Sequence, residues 1–197
     1  MTWLEGLRTT VRRVTGASAP RRITPNKRKP HAYRFADDGE TPNNTVLPLI
    51  HYRSVLSLAR EDDPAACFEQ LFADHGWTKS WRDGIYDFLH FHTRTHEVLG
   101  IARGTATVEF GGKKGRAIDV KAGDVIVLPA GTGHRRKRKS RDLLVVGAYP
   151  KNGGRYDEPK PRDVDIETAR KRIADVALPE TDPVYGRRGP LRKLWRN

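Results

Sequence analysis

The chain has 197 residues, 37% of them hydrophobic and 31% charged, with a formal net charge of +13 and a mean hydropathy of −0.70. That length fits one domain with extensions better than two full domains, and no apolar run approaches the ~18–20 residues of a bilayer-spanning helix. The single cysteine, Cys67, excludes an intrachain disulfide and fits a reducing, cytoplasmic setting.

The charge is unevenly placed. Residues 1–35 carry a net +8, residues 135–141 a net +6 and residues 186–197 a net +5, which leaves −6 for the rest. The pattern is an acidic body with basic ends and one basic loop. Trp3, Leu4, Leu7, Val11 and Val14 recur at helical spacing among arginines, which predicts a short basic amphipathic helix over residues 2–15. Arg12-Arg13 has no apolar segment behind it and does not read as a secretion signal. A Gly-, Pro- and Arg-rich arm follows to residue 30.

Residues 46–52 read as a short extended segment. Asp63-Pro64 predicts a helix start, with Asp63 as N-cap and Pro64 in the first turn. Phe68, Leu71 and Phe72 supply that helix with an apolar face, Cys67 is expected to be buried in it, and Gly76 can end it. From Ile85 the period changes to two. Strands are expected at 85–92, 97–103, 105–110, 117–120, 125–128 and 143–149, separated by glycine-bearing turns. Several short strands at this spacing predict a sandwich or barrel. Ile166, Ala169, Ile173 and Val176 predict a helix within 165–176, and the tail from 178 is expected to wrap the body or to lack order in part.

The chemistry concentrates on four residues. In a strand, Tyr86, Phe88, His90 and His92 share one face, so the two imidazoles can aim at one point. Glu97 opens the next strand, and His134 follows the tight turn at 129–133. Three imidazoles and a carboxylate suit one divalent transition ion: Fe, Mn, Ni, Zn or Cu. Adjacent strand residues face opposite ways, so Glu97 is preferred to its neighbour His96. His96 is then expected at the surface, at an interface or behind the ligands.

These residues resemble the two motifs of the cupin superfamily. The first is Gly84, His90, Phe91, His92, Glu97 and Gly104; the second is Gly123, Pro129, Ala130, Gly131 and His134. Arg138 stands where the closing Asn of the second motif would fall, and that Asn is not a ligand in the family. A looser likeness from about Lys29 to Trp195 resembles an uncharacterised bacterial branch of single-domain cupins, the YjlB-like proteins. The resemblance implies an all-β double-stranded β-helix, or jelly-roll barrel, with a few peripheral helices. It also implies the metal site, but no particular reaction. The expected organisation is a basic arm at 1–30, the barrel at 31–160, and a C-terminal helix with a basic tail at 161–197.

Tyr86 and Phe88 either line the cavity mouth or pack in the barrel, and Trp77 and Trp81 are expected to pack in the core or an interface. The run at 135–141 can steer an anion toward the metal, hold an acidic partner, or form a solvated hairpin tip. It lacks interleaved aromatics, so specific nucleic-acid reading is not expected. The leading expectation is a metal-dependent enzyme acting on a small polar or anionic molecule. Oxygenase, isomerase and decarboxylase chemistry stay open, with Tyr86 and His96 as candidate general bases. The alternatives are a non-catalytic binding or sensing protein, and an interaction protein with a structural metal. Exposed strand edges also suggest a homodimer.

Overall fold

The computed structural model describes residues 23–196. The helix expected over 2–15 lies outside them. Among the described residues nine strands form two antiparallel sheets. The first contains β1 (His31–Tyr33), β2 (Leu49–Tyr52), β3 (Trp77–Asp83), β4 (Glu97–Arg103), β7 (Val125–Leu128) and β9 (Leu144–Pro150), in the order β1-β2-β7-β4-β9-β3. The second contains β5 (Thr105–Phe110), β6 (Arg116–Lys121) and β8 (His134–Lys139), in the order β6-β5-β8. Helices α1 (Pro64–Asp74), α2 (Ile166–Ala174) and α3 (Leu191–Leu194) lie outside the sheets in the chain order. This is the expected all-β jelly-roll core with a few helices. No described helix is long and apolar enough to cross a membrane.

The core has two layers of packing. Leu99, Ile101, Ile126, Leu128 and Val145 of the large sheet meet Ala106, Val108, Phe110, Ile118 and Val120 of the small one. The other face of the large sheet carries Val98, Val125, Val127, Val146 and Ala148, which pack on Phe68, Leu71 and Phe72 of α1 and on Leu191 and Trp195. A strand covered on both faces needs no polar alternation. That accounts for the continuous apolar run of β7 and for a β4 buried from Glu97 to Ala102. Asp63 caps α1 as expected, accepting from the Ala65 and Ala66 amides at 3.2 Å, and Cys67 is buried within it.

Two expectations need correction. Residues 85–92 do not form a regular strand: β3 lies earlier, and residues 84–96 are irregular apart from a bridge between His90 and His134. Second, residues 135–139 are not a hairpin tip but most of β8, paired along β5. A strand tolerates such a run because alternate side chains face outward and find partners. Arg135 and Lys137 both reach Glu109, at 2.7 and 3.6 Å. Of the two outcomes expected of the tail, its described part shows the first: it packs on the body. The buried Asp182 accepts from the Val184, Tyr185 and Leu191 amides and from the Tyr52 hydroxyl. Trp195 is 2% exposed and donates to the Pro48 carbonyl at 2.8 Å.

Candidate metal centre

His90, His92 and His134 are brought together by backbone pairing. The His134 amide donates to the His90 carbonyl at 2.9 Å and the return bond is 3.3 Å. The Gly131 amide donates to the His92 carbonyl at 2.7 Å, which ties the turn before His134 to the first histidine segment. Gly131 has φ +91°, and a Cβ there would stand 2.6 Å from the Asn43 carbonyl oxygen, so the turn requires glycine. Although 85–92 is irregular, the alternation persists. Tyr86, Phe88, His90 and His92 place successive rings 4.7, 5.4 and 5.7 Å apart.

Each of the three imidazoles offers a ring nitrogen within 4.8 Å of those of the other two. Their far nitrogens are held by carbonyls. His90 Nδ1 donates to Phe88 at 3.2 Å, His134 Nδ1 donates to Thr132 at 3.0 Å, and His92 Nδ1 donates to Asp157. A carbonyl only accepts, so each Nδ1 carries the proton and each neutral ring keeps a lone pair on Nε2. Glu97 sits beside two of these lone pairs, with Oε2 3.1 Å from His92 Nε2 and 3.6 Å from His134 Nε2, while the mutually close group of ligand atoms is formed by the three histidines. Two electron-rich atoms at 3.1 Å require a proton or a cation between them.

The electrostatics follow from burial and from this carboxylate. Burial lowers the pKa of His90, helped by His92, and pushes that of His134 well down, helped by His90 and His92. His92 is also buried, but Glu97 outweighs the burial and its pKa is raised. Burial thus favours neutral rings at His90 and His134, while Glu97 draws a proton toward His92, a place that a cation would take in a transition-metal shell.

These groups face a cavity of about 340 Å³ walled by Trp81, Ile85, Tyr86, Leu99, Tyr149 and Tyr156. Trp81 packs against the core, as expected, and also lines the cavity. A register shift in β3 between Thr78 and Trp81, with Lys79 at φ +54°, accompanies its placement in the cavity wall. Its indole donates to the Tyr149 hydroxyl at 2.8 Å. Burial, followed by the nearby Glu97 carboxylate, raises the pKa of Tyr149. Arg82 lines the cavity with its guanidinium committed, to Glu69 at 2.7 Å and to Asp63 at 2.9 Å. Tyr86 is 45% exposed at the mouth, stacked on Phe88, whose ring also lies 4.6 Å from Lys160 Nζ.

His96 is neither at the surface nor beside the three histidines. It is fully buried on the opposite side of β4, with its ring 4.7 Å from that of Trp195. Its Nδ1 accepts from the Ala130 amide at 2.9 Å, and burial pulls its pKa down to about 3. Tyr149, Tyr156 and Asp157 were not singled out by sequence reading, because none falls in the two motifs that carry the histidines or at a repeating interval with them.

No family model matches the chain. In solved structures, it resembles acireductone dioxygenase from Bacillus anthracis, at 17% identity over 46% of this chain and 61% of that one, with a TM-score of 0.33. A mutant of Bacillus subtilis oxalate decarboxylase is 17% identical over 62% of this chain and 30% of that one, with a TM-score of 0.36. The chain thus spans less than two thirds of either structure. Sequence gives a firmer relation: the uncharacterised protein YjlB of Bacillus subtilis (strain 168) is 41% identical over 169 residues, 86% of this chain and 98% of that protein. The chain belongs to the family of YjlB.

Proposed function

We propose that this protein is a metal-dependent cupin enzyme acting on a small polar molecule, with His90, His92, Glu97 and His134 holding one divalent transition ion. One observation carries this reading: three imidazoles, each fixed at Nδ1 by a carbonyl, converge at the wall of a cavity, with the buried Glu97 carboxylate beside the Nε2 atoms of His92 and His134. When bound, the ion supplies a Lewis acid with coordination positions left for a substrate. A structural ion calls for a closed shell instead.

The chain's own residues supply the rest. Phe88, Thr132 and Asp157 orient the imidazoles through their carbonyls. Trp81 fixes the Tyr149 oxygen as an acceptor, so the phenol keeps its own proton to donate toward Glu97 or toward a bound molecule. Trp81, Tyr149, Tyr156 and Leu99 exclude water from one side. The committed Arg82 leaves the walls with little to hold a charged tail, so of polar and anionic molecules the polar class fits better.

Elemental analysis of protein purified without chelators tests the reading. About one transition ion per chain is expected, with its loss in His134→Ala. Metal-free protein that takes up no added divalent ion overturns it.

A further inference from the structure

Between β9 and α2 the chain crosses the surface in a segment, residues 151–160, in which no residue is buried. Its apolar side chains are limited to Tyr156 and Pro159. Polar bonds therefore dominate its attachment, and segments of this kind open locally at low cost. Yet this segment reaches the metal site. Its Gly154 amide donates to the Arg94 carbonyl at 3.0 Å, and its Pro159 carbonyl accepts from Phe91 at 3.1 Å. Between those two points Asp157 acts twice. Its carboxylate accepts from the Thr93 amide at 2.9 Å and from the Thr93 hydroxyl, and its carbonyl accepts from His92 Nδ1. Beside it, the Tyr156 ring lies 5.2 Å from the His92 ring and lines the cavity.

We propose that Asp157 is a positioning residue through which this surface segment and a metal ion at the histidines hold each other in place. The proposal rests on the metal reading above. His92 is 4% exposed and Thr93 is fully buried, so with the segment lifted, the imidazole N–H and the Thr93 amide both lose their acceptors. His92 then loses what fixes its tautomer and its aim. Metal binding needs that tautomer, so the ion binds better to the docked segment. By linkage the bound ion must stabilise the docked segment by the same factor. Residues that hold a ligand's far nitrogen typically alter metal affinity by roughly 10–100-fold.

The side-chain chemistry separates this role from a general structural one. Asp157→Ala removes the anchor at Thr93. Asp157→Asn keeps it, because the amide oxygen accepts from the Thr93 N–H and its NH2 donates to the Thr93 hydroxyl. Two readouts apply, both with Co(II) as the probe: calorimetric affinity, and trypsin cleavage after the exposed Arg155 followed by mass spectrometry. In the unmodified chain, Co(II) should slow cleavage at Arg155 severalfold. Asp157→Ala should bind Co(II) roughly 10–100-fold more weakly and lose that protection, and Asp157→Asn should restore both. Cleavage at Arg155 that is indifferent to bound Co(II), or unchanged affinity in Asp157→Ala, overturns the coupling while leaving the metal site intact. Failure of the unmodified chain to bind Co(II) at all brings down the metal reading and the coupling with it. The protease comparison on the unmodified chain decides the matter even where Asp157→Ala does not fold.

Discussion

Two buried histidine environments lie on opposite sides of β4, and they differ in which ring nitrogen is already used. On one side, His90, His92 and His134 give their Nδ1 protons to carbonyls and keep Nε2 lone pairs for the cavity. On the other, His96 accepts the Ala130 amide at Nδ1, so its proton must sit on Nε2 and no lone pair remains. It packs against Trp195, and burial leaves it neutral. The contrast teaches that burial alone does not make a ligand. The backbone partner of the other nitrogen decides what an imidazole can offer.

The largest expected effect tests that distinction directly. His134→Ala should weaken Co(II) binding at least about 100-fold, since one of three converging nitrogens is gone, whereas His96→Ala should bind Co(II) as the unmodified chain does. Calorimetric titration of both variants reads this out. If the two lose metal alike, the comparison between the faces fails. Stability should rank the other way. His96→Ala leaves a cavity against Trp195 and strands the Ala130 amide, a cost of about 3 kcal/mol in urea unfolding of the metal-free proteins. The same measurement on His134→Ala should give a smaller loss, because that ring borders a cavity already.

Much of this contrast was legible in the sequence. The apolar stretch at 97–103 located β4, and the opposite-face rule separated Glu97, which joins Leu99 and Ile101, from His96. What the rule could not supply was the character of the second face. His96 is buried by Trp195, an anchor in a Pro-, Gly- and Arg-rich tail whose apolar residues follow no period. The first histidine segment shows the converse. His90 and His92 converge as alternation requires, although the chain there is irregular, because the single bridge to His134 is enough to set their direction. Tyr149 and Asp157 reach the site through folding of distant segments, and neither residue type at its position advertises a role. The run at 135–139 was misread because five neighbouring cations look solvated, while a strand needs only outward room for alternate ones and an acid such as Glu109 to meet them.

A medium effect is expected where the cavity wall meets β9. A Cβ on Gly147 would stand 2.1 Å from the Trp81 indole, so Gly147→Ala must displace that ring. Overpacking of this kind costs about 1–3 kcal/mol. It also breaks the 2.8 Å bond from Trp81 to the Tyr149 hydroxyl, on the cavity side alone. Unfolding midpoints should fall accordingly, while Co(II) should still bind because no imidazole partner is touched. Loss of Co(II) binding in Gly147→Ala would mean that the Trp81–Tyr149 pair matters more to Glu97 than the carbonyl-held imidazoles do.

The smallest effect separates neighbours within β8. Arg136 turns toward the segment that carries Tyr86, donating from Nε to the Ile85 carbonyl at 2.9 Å and approaching Asp87 at 3.4 Å. Arg138 is exposed and stands opposite Thr107 in the small sheet. Arg136→Ala should cost about 1 kcal/mol, the worth of one part-buried hydrogen bond, because the exposed pair with Asp87 adds little. Arg138→Ala should stay within about 0.5 kcal/mol of the unmodified chain. Both should leave Co(II) affinity unchanged, since neither guanidinium holds an imidazole. Equal unfolding midpoints for the two variants would show that Arg136 does not brace the cavity mouth. A drop in Co(II) affinity confined to Arg136→Ala would instead extend the metal-holding frame from Thr132 and Phe88 outward to Ile85, and so would move the boundary between the two histidine environments.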